Sequence, residues 1–130
     1  MIKPKITEIA VVTSNNRVYI ELFKFNKNTQ NIDIEIVITD SKLIYKGGGD
    51  IFFCSFYTED YLVQQGINDK WFPNEGKGVV YCKKITKEFI LNHINSIVEN
   101  IEGKTWKEIA EKLNQYFGWE FENYQGFKEG

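Results

Sequence analysis

His93, the one histidine, and Cys54 and Cys82, the two cysteines, are the residues best suited to acid–base or nucleophilic chemistry. A general base needs a group that orients it and a substrate within reach. His93 falls at the edge of an apolar helical stripe, one turn after Phe89, with no nucleophile or carboxylate constellation near it in sequence. A half-buried or surface helix residue is the plainer reading. Cys54 and Cys82 both lie inside apolar, strand-like runs and read as small buried hydrophobes rather than halves of a disulfide. Two separated cysteines and one histidine lack the spacing of a zinc site, so no metal and no cofactor is expected. Lys83 and Lys84, beside Cys82, are the only hint of an activating charge.

Gly47-Gly48-Gly49-Asp50 invites comparison with a phosphate loop. That chemistry needs a glycine frame followed by Lys and Ser/Thr at a helix start. Here the run leads into a strand pattern, so a hairpin turn or bulge is the better reading. The carboxylates are plentiful but scattered, and no pair has a spacing that implies general acid–base work. Residues 59–77 are different. They form a long stretch without regular patterning, apart from a possible helical turn over 61–65. Long irregular stretches are uncommon in compact domains and often functional. Asp60, Asp69 and Glu75 surround Trp71 and Phe72, a composition typical of binding hot spots. These five residues are the candidate partner-binding set. The competing reading is that Trp71 and Phe72 pin the loop to the core.

The elements that must carry these residues change period along the chain. Residues 5–13 alternate, with Ile6, Ala10 and Val12 assigned to one face and Ile9 and Val11 to the other. Asn15-Asn16 signals a turn. Residues 17–25 read as a second strand, with Val18, Ile20 and Leu22 on one side. Ile32, Ile34, Ile36 and Ile38 alternate with Asp33, Glu35, Val37 and Thr39, which predicts a strand with one wet face. Leu43 to Tyr45 read as short and extended. Residues 51–57 are apolar on both sides, the look of a strand covered on both faces. Val79 to Cys82 form a further strand.

Period 3.6 then takes over. Ile90, Leu91, Ile94, Ile97, Val98 and Ile101 make one stripe, with Thr86 able to cap its start and Gly103 placed to end it in a left-handed cap. Thr105 and Glu108 form a capping box for a second helix with Trp106, Ile109, Ala110, Leu113 and Phe117 as its stripe. Strands first and helices last predict an α+β fold: an antiparallel sheet of about five to six strands with two C-terminal α-helices packed on one face.

The 130 residues suit a single domain, 1–130, with a real core. The net charge of −2 offers no basic footprint for nucleic acid. No apolar run is long enough for a membrane span, and the N-terminus lacks a signal-peptide core, so a cytoplasmic product is expected. The Ile-rich strand, if it lies at a sheet edge, allows a homodimer.

The C-terminal block carries a family resemblance. Gly103, Thr105-Trp106, Glu108-Ile109-Ala110, Leu113, Tyr116-Phe117 and Trp119-Glu120-Phe121-Glu122-Asn123-Tyr124 resemble the closing pattern of a group of bacterial immunity proteins, immunity protein family eight. That family belongs to polymorphic toxin and contact-dependent inhibition systems. The run from Asp50 to Thr58 resembles a strand of the same family, with departures at Tyr57, Glu59 and Tyr61. The resemblance implies a non-enzymatic antitoxin that binds the C-terminal toxin domain delivered by a neighbouring cell. Many such toxins are nucleases with basic clefts, which an acidic, aromatic surface would occlude. Two other readings compete: an adaptor with a non-toxin partner, and a small Cys/His enzyme.

Overall fold

The computed structural model of the chain describes residues 1–13, 16–42, 49–64 and 77–121. Its elements run β1 (Pro4–Val12), β2 (Arg17–Tyr19), a 3-10 turn (Ile20–Leu22), β3 (Asn31–Asp40), β4 (Asp50–Thr58), α1 (Glu59–Gln64), β5 (Val79–Cys82), α2 (Lys87–Val98), α3 (Trp106–Leu113) and β6 (Gly118–Trp119). This is the expected α+β class, a six-stranded sheet with two longer helices near the C-terminus, although the last strand, β6, follows them and a short α1 precedes β5. No helix among the described residues is long and apolar enough to cross a membrane.

Period-two patterning builds the core face of the sheet. Ile32, Ile34, Ile36 and Ile38 are all buried. Their cross-strand partners Phe56, Cys54 and Phe52 stand opposite Ile32, Ile34 and Ile36 and are buried with them. Ile90, Ile94 and Val98 of α2 and Ile109, Ala110 and Leu113 of α3 close over this face in one cluster. Phe117 packs edge-on against Phe52 at 6.5 Å. Truncating such a ring to Ala typically costs ~3–5 kcal/mol, because a cavity is left in a dense interior.

Both helices start on threonine caps. Thr86 accepts from the Phe89 N–H at 3.1 Å, and Thr105 accepts from the Glu108 N–H at 3.1 Å. The return arm of the expected capping box is shifted by one residue: Glu108 accepts from the Lys104 N–H at 3.0 Å, not from Thr105. The left-handed cap expected at Gly103 is also absent. α2 ends at Val98, with Glu99 still in right-handed geometry. Gly103 instead exchanges backbone bonds with Ile2 at 2.7 and 3.0 Å. A Cβ there would sit 3.1 Å from Ile109 Cγ1, so the glycine permits close approach of the chain to α3.

The strand order is β2-β1-β3-β4-β5, with β6 also on β4, so the Ile-rich β3 is paired on both sides and is not the sheet edge through which a homodimer was expected to pair. All pairs are antiparallel except β4–β5, which is parallel. A parallel neighbour needs a long crossover, and residues 59–78 supply one. Gly78 seats the junction. Its φ is +72°, its N–H donates to the Tyr116 carbonyl at 2.7 Å, and its carbonyl accepts from the Ser55 N–H at 2.8 Å.

Three face assignments differ from the simple alternation. A bulge between Ile6 and Glu8 resets β1, so Ile6 joins Ile9 and Val11 opposite the core residues of β3, and Ala10 and Val12 turn to the other face. The second strand stops at Tyr19, where the 3-10 turn begins and leaves Leu22 70% exposed. β4 is not covered on both sides: Phe53 is 43% exposed, while Ile51, Ser55 and Tyr57 are half-buried. Asn15 of the first turn, the extended segment from Leu43 to Tyr45, Gly47, Gly48 and the end of the aromatic tail lie outside the described residues.

Candidate partner-binding surface

The face of the sheet opposite α2 and α3 is built by register. Glu8 stands opposite Val37, Ala10 opposite Glu35, and Val12 opposite Asp33. Across β3, Asp33 stands opposite Ser55, Glu35 opposite Phe53, and Asn31 opposite Tyr57. β5 continues two of these rows with Val79 beside Ser55 and Tyr81 beside Tyr57. Acids therefore line the β1–β3 half, and aromatics line the β4–β5 half.

Arg17 is bound into the acidic half. Its guanidinium pairs with Glu8, and its Nε–H donates to Glu35 Oε1 at 3.0 Å. The same guanidinium lies 6.0 Å from the centre of the Tyr19 ring, within the range of a cation–π contact. Ala10, between Tyr19 and Glu35 in the register, is fully buried despite facing this side. One row away the Ser55 hydroxyl donates to Asp33 Oδ1 at 2.7 Å.

The aromatic half centres on Tyr57. Its ring lies 5.9 Å from both Tyr61 and Tyr81. Burial, then the Asp33 carboxylate, pushes the Tyr57 phenol above its ordinary range, while the Ser55 hydrogen bond pulls it back. Tyr61 belongs to α1, whose first turn the Thr58 hydroxyl caps by accepting from the Tyr61 N–H at 3.1 Å. The ring contact therefore ties the start of the crossover to the sheet.

Of the five residues expected to bind a partner, Asp60 is placed. It is exposed in the first turn of α1, next to Tyr61. Asp69, Trp71, Phe72 and Glu75 lie outside the described residues. The wet side of β4 escaped the sequence reading because Phe53 and Tyr57 are as apolar as the residues facing the core. Ser55 and the acids of the neighbouring strand were the available signals.

The groups suited to catalysis sit in structural settings. Cys54 is 1% exposed, and burial pushes its thiol up to about 12. Cys82 is also pushed up, by burial first, against an opposing pull from the Lys84 backbone hydrogen bond and with a lesser push from Glu59. Its Sγ–H points at the Tyr57 carbonyl at 3.7 Å. Both shifts oppose thiolate formation, so Lys83 and Lys84 do not activate Cys82. Cys82 stands opposite Thr58, not Cys54. The four-residue offset is roughly 13 Å at ~3.3 Å per residue, beyond the span of a disulfide. His93 packs edge-on to Phe56 at 5.6 Å and stacks with Phe89 at 6.3 Å. Among the described residues no group of three or more His, Cys, Asp or Glu could hold a metal ion.

Compared with known proteins, residues 10–124 match the family model described as Immunity protein 8. No curated protein and no solved structure matches the chain. The family match begins in β1 and extends past β6, so it takes in both halves of the sheet face and the two long helices.

Proposed function

The chain belongs to the Immunity protein 8 family, and we propose that it binds and neutralises the C-terminal domain of a cognate toxin, without catalysing a reaction itself. The family match over residues 10–124 is the observation that carries this reading. The thiol and imidazole environments support the non-catalytic part, since neither cysteine is activated and His93 is packed between phenylalanine rings.

The finer reading is that the toxin is a nuclease with a basic cleft, blocked by an acidic and aromatic surface in the cytoplasm of the protected cell. Net charge −2 and the acids of the open sheet face support this. Residues Asp60, Asp69, Trp71, Phe72 and Glu75 are proposed to extend that surface through the crossover. The exposure of Asp60 beside the Tyr57–Tyr61 ring contact supports the extension. A sheet scaffold formed before binding loses little conformational entropy on association, which suits tight inhibition.

Co-expression tests the proposal. Where a large secreted protein is encoded beside this chain, its C-terminal domain is induced with and without the chain. Restored growth and co-purification are expected. Continued killing, with soluble chain present, overturns it.

A further inference from the structure

We propose that the toxin docks on the open face of the sheet around Asp33, Phe53 and Tyr57, and that it presents an arginine- or lysine-bearing patch there. The inference rests on the toxin-neutralising reading and adds the surface and the chemistry of its occupant.

The face already shows what it recognises. Arg17 is held by two carboxylates, Glu8 and Glu35, with the Tyr19 ring beside its guanidinium. That arrangement combines charge-assisted hydrogen bonds with a ring contact, the combination that favours guanidinium over neutral donors. The adjoining rows repeat the two ingredients. Asp33 is exposed, fixed at one oxygen by Ser55, and close enough to Tyr57 to influence its phenol. The acids of the face, Glu8, Asp33 and Glu35, outnumber Arg17, and the residues β4 contributes, Ile51, Phe53, Ser55 and Tyr57, carry no cation. Lys5 shares the face only at its far end, opposite Thr39. Charge complementarity therefore selects a basic occupant.

Phe53 supplies the apolar anchor. It is 43% exposed in the row of Glu35, and its other neighbour in that row is Gly118, whose lack of a side chain leaves the ring uncovered on that side. An exposed aromatic set among polar groups on a rigid strand is the composition of an interface centre. The outer sides of α2 and α3 also carry exposed acids, Glu88 and Glu111, but these stand on the opposite layer of the fold. They provide a control that separates a specific face from general negative charge.

The test uses the full chain and a catalytically inactivated form of the neighbouring toxin domain, with affinity measured by calorimetry at low and high salt. Asp33→Lys and Phe53→Ser are each expected to weaken binding by about tenfold or more. Glu88→Lys and Glu111→Lys are expected to bind as the unaltered chain does. Higher salt should weaken the unaltered complex more than the Asp33→Lys complex. Asp33→Asn, which keeps the shape of the side chain, provides a second reading if Phe53→Ser lowers the urea midpoint. Unchanged affinity in Asp33→Lys and Asp33→Asn, or equal losses in the helix variants, overturns the sheet-face proposal while toxin binding stands. An unaltered chain that neither binds nor protects overturns both readings.

Discussion

The indole N–H of Trp119 donates to Oδ2 of Asp50 at 3.0 Å, although the two residues are 69 positions apart in the chain. The Trp106 indole reaches the same oxygen at 3.1 Å. One carboxylate at the start of β4 thus holds the first turn of α3 and the strand that follows α3. Trp119 also stacks on Phe52 at 6.3 Å, and Glu120 bonds Ile51 through its backbone N–H at 3.1 Å and through its carboxylate.

Asp50→Ala leaves two part-buried indole donors without this acceptor. A loss of about 2–3 kcal/mol is expected, from one charge-assisted acceptor serving two donors. Asp50→Asn should lose less, because the amide oxygen still accepts. Urea unfolding followed by tryptophan fluorescence measures both. Equal, negligible losses would show that the α3–β6 segment is held by ring packing alone.

Gly78→Ala tests the β5 junction. The backbone is left-handed at φ +72°, and a Cβ would stand 3.1 Å from the Gly118 amide nitrogen. The conformation alone costs an L-residue about 1–2 kcal/mol. Thermal unfolding should show a lower midpoint. An unchanged midpoint would mean that the junction re-forms with another backbone geometry.

Stability should fall on the alkaline side. The Cys54 thiol rises from an ordinary 9.0 to about 12 when folded. Between those values the unfolded chain gives up the proton and the folded chain keeps it, so folded protein binds more protons and loses stability as pH rises. The full contribution is present below pH 9.0, the ordinary thiol value. The slope from this group approaches about 1.4 kcal/mol per pH unit. Tyr57 and Cys82, also raised, act in the same direction. Urea titrations from neutral to alkaline pH, compared between the unaltered chain and Cys54→Ala, should show a shallower decline in the variant. Parallel curves would contradict the buried-thiol assignment.

Arg17→Ala removes the cation shared by Glu8 and Glu35. The three side chains are partly exposed, so solvent screening limits their worth to about 1 kcal/mol or less. Urea unfolding at low and high salt should show a small difference that salt narrows. A much larger loss would mean that Arg17 holds the β1–β2 edge through packing over Ala10.

The period-two run from Ile32 to Ile38 and the stripes of α2 and α3 were legible because burial imposes one periodicity on each. The same logic failed at Thr7, where a bulge costs a single residue and leaves no compositional mark. It failed at Ile20, where an apolar residue enters the core from a 3-10 turn. The parallel β4–β5 pair was hidden because pairing direction is set by the path of the crossover. Gly103 looked like a helix stop, yet its lack of a side chain serves a contact with Ile109 and Glu108. For the candidate site, the acids of β3 were visible as a wet face. Phe53 and Tyr57 were not, since an apolar residue on an open sheet face reads like one in a core. Asp60 is the one member of the expected loop set that the described structure places, exposed in the first turn of α1.

The central claim is neutralisation by direct binding, and a titration of purified toxin domain with purified chain tests it most directly. The toxin's activity is followed as the chain is added, with the mixture examined by size-exclusion chromatography. The account predicts that activity disappears in proportion to added chain and that the two proteins elute together in a stable complex. Full toxin activity in the presence of excess folded chain, with the two eluting separately, would contradict it.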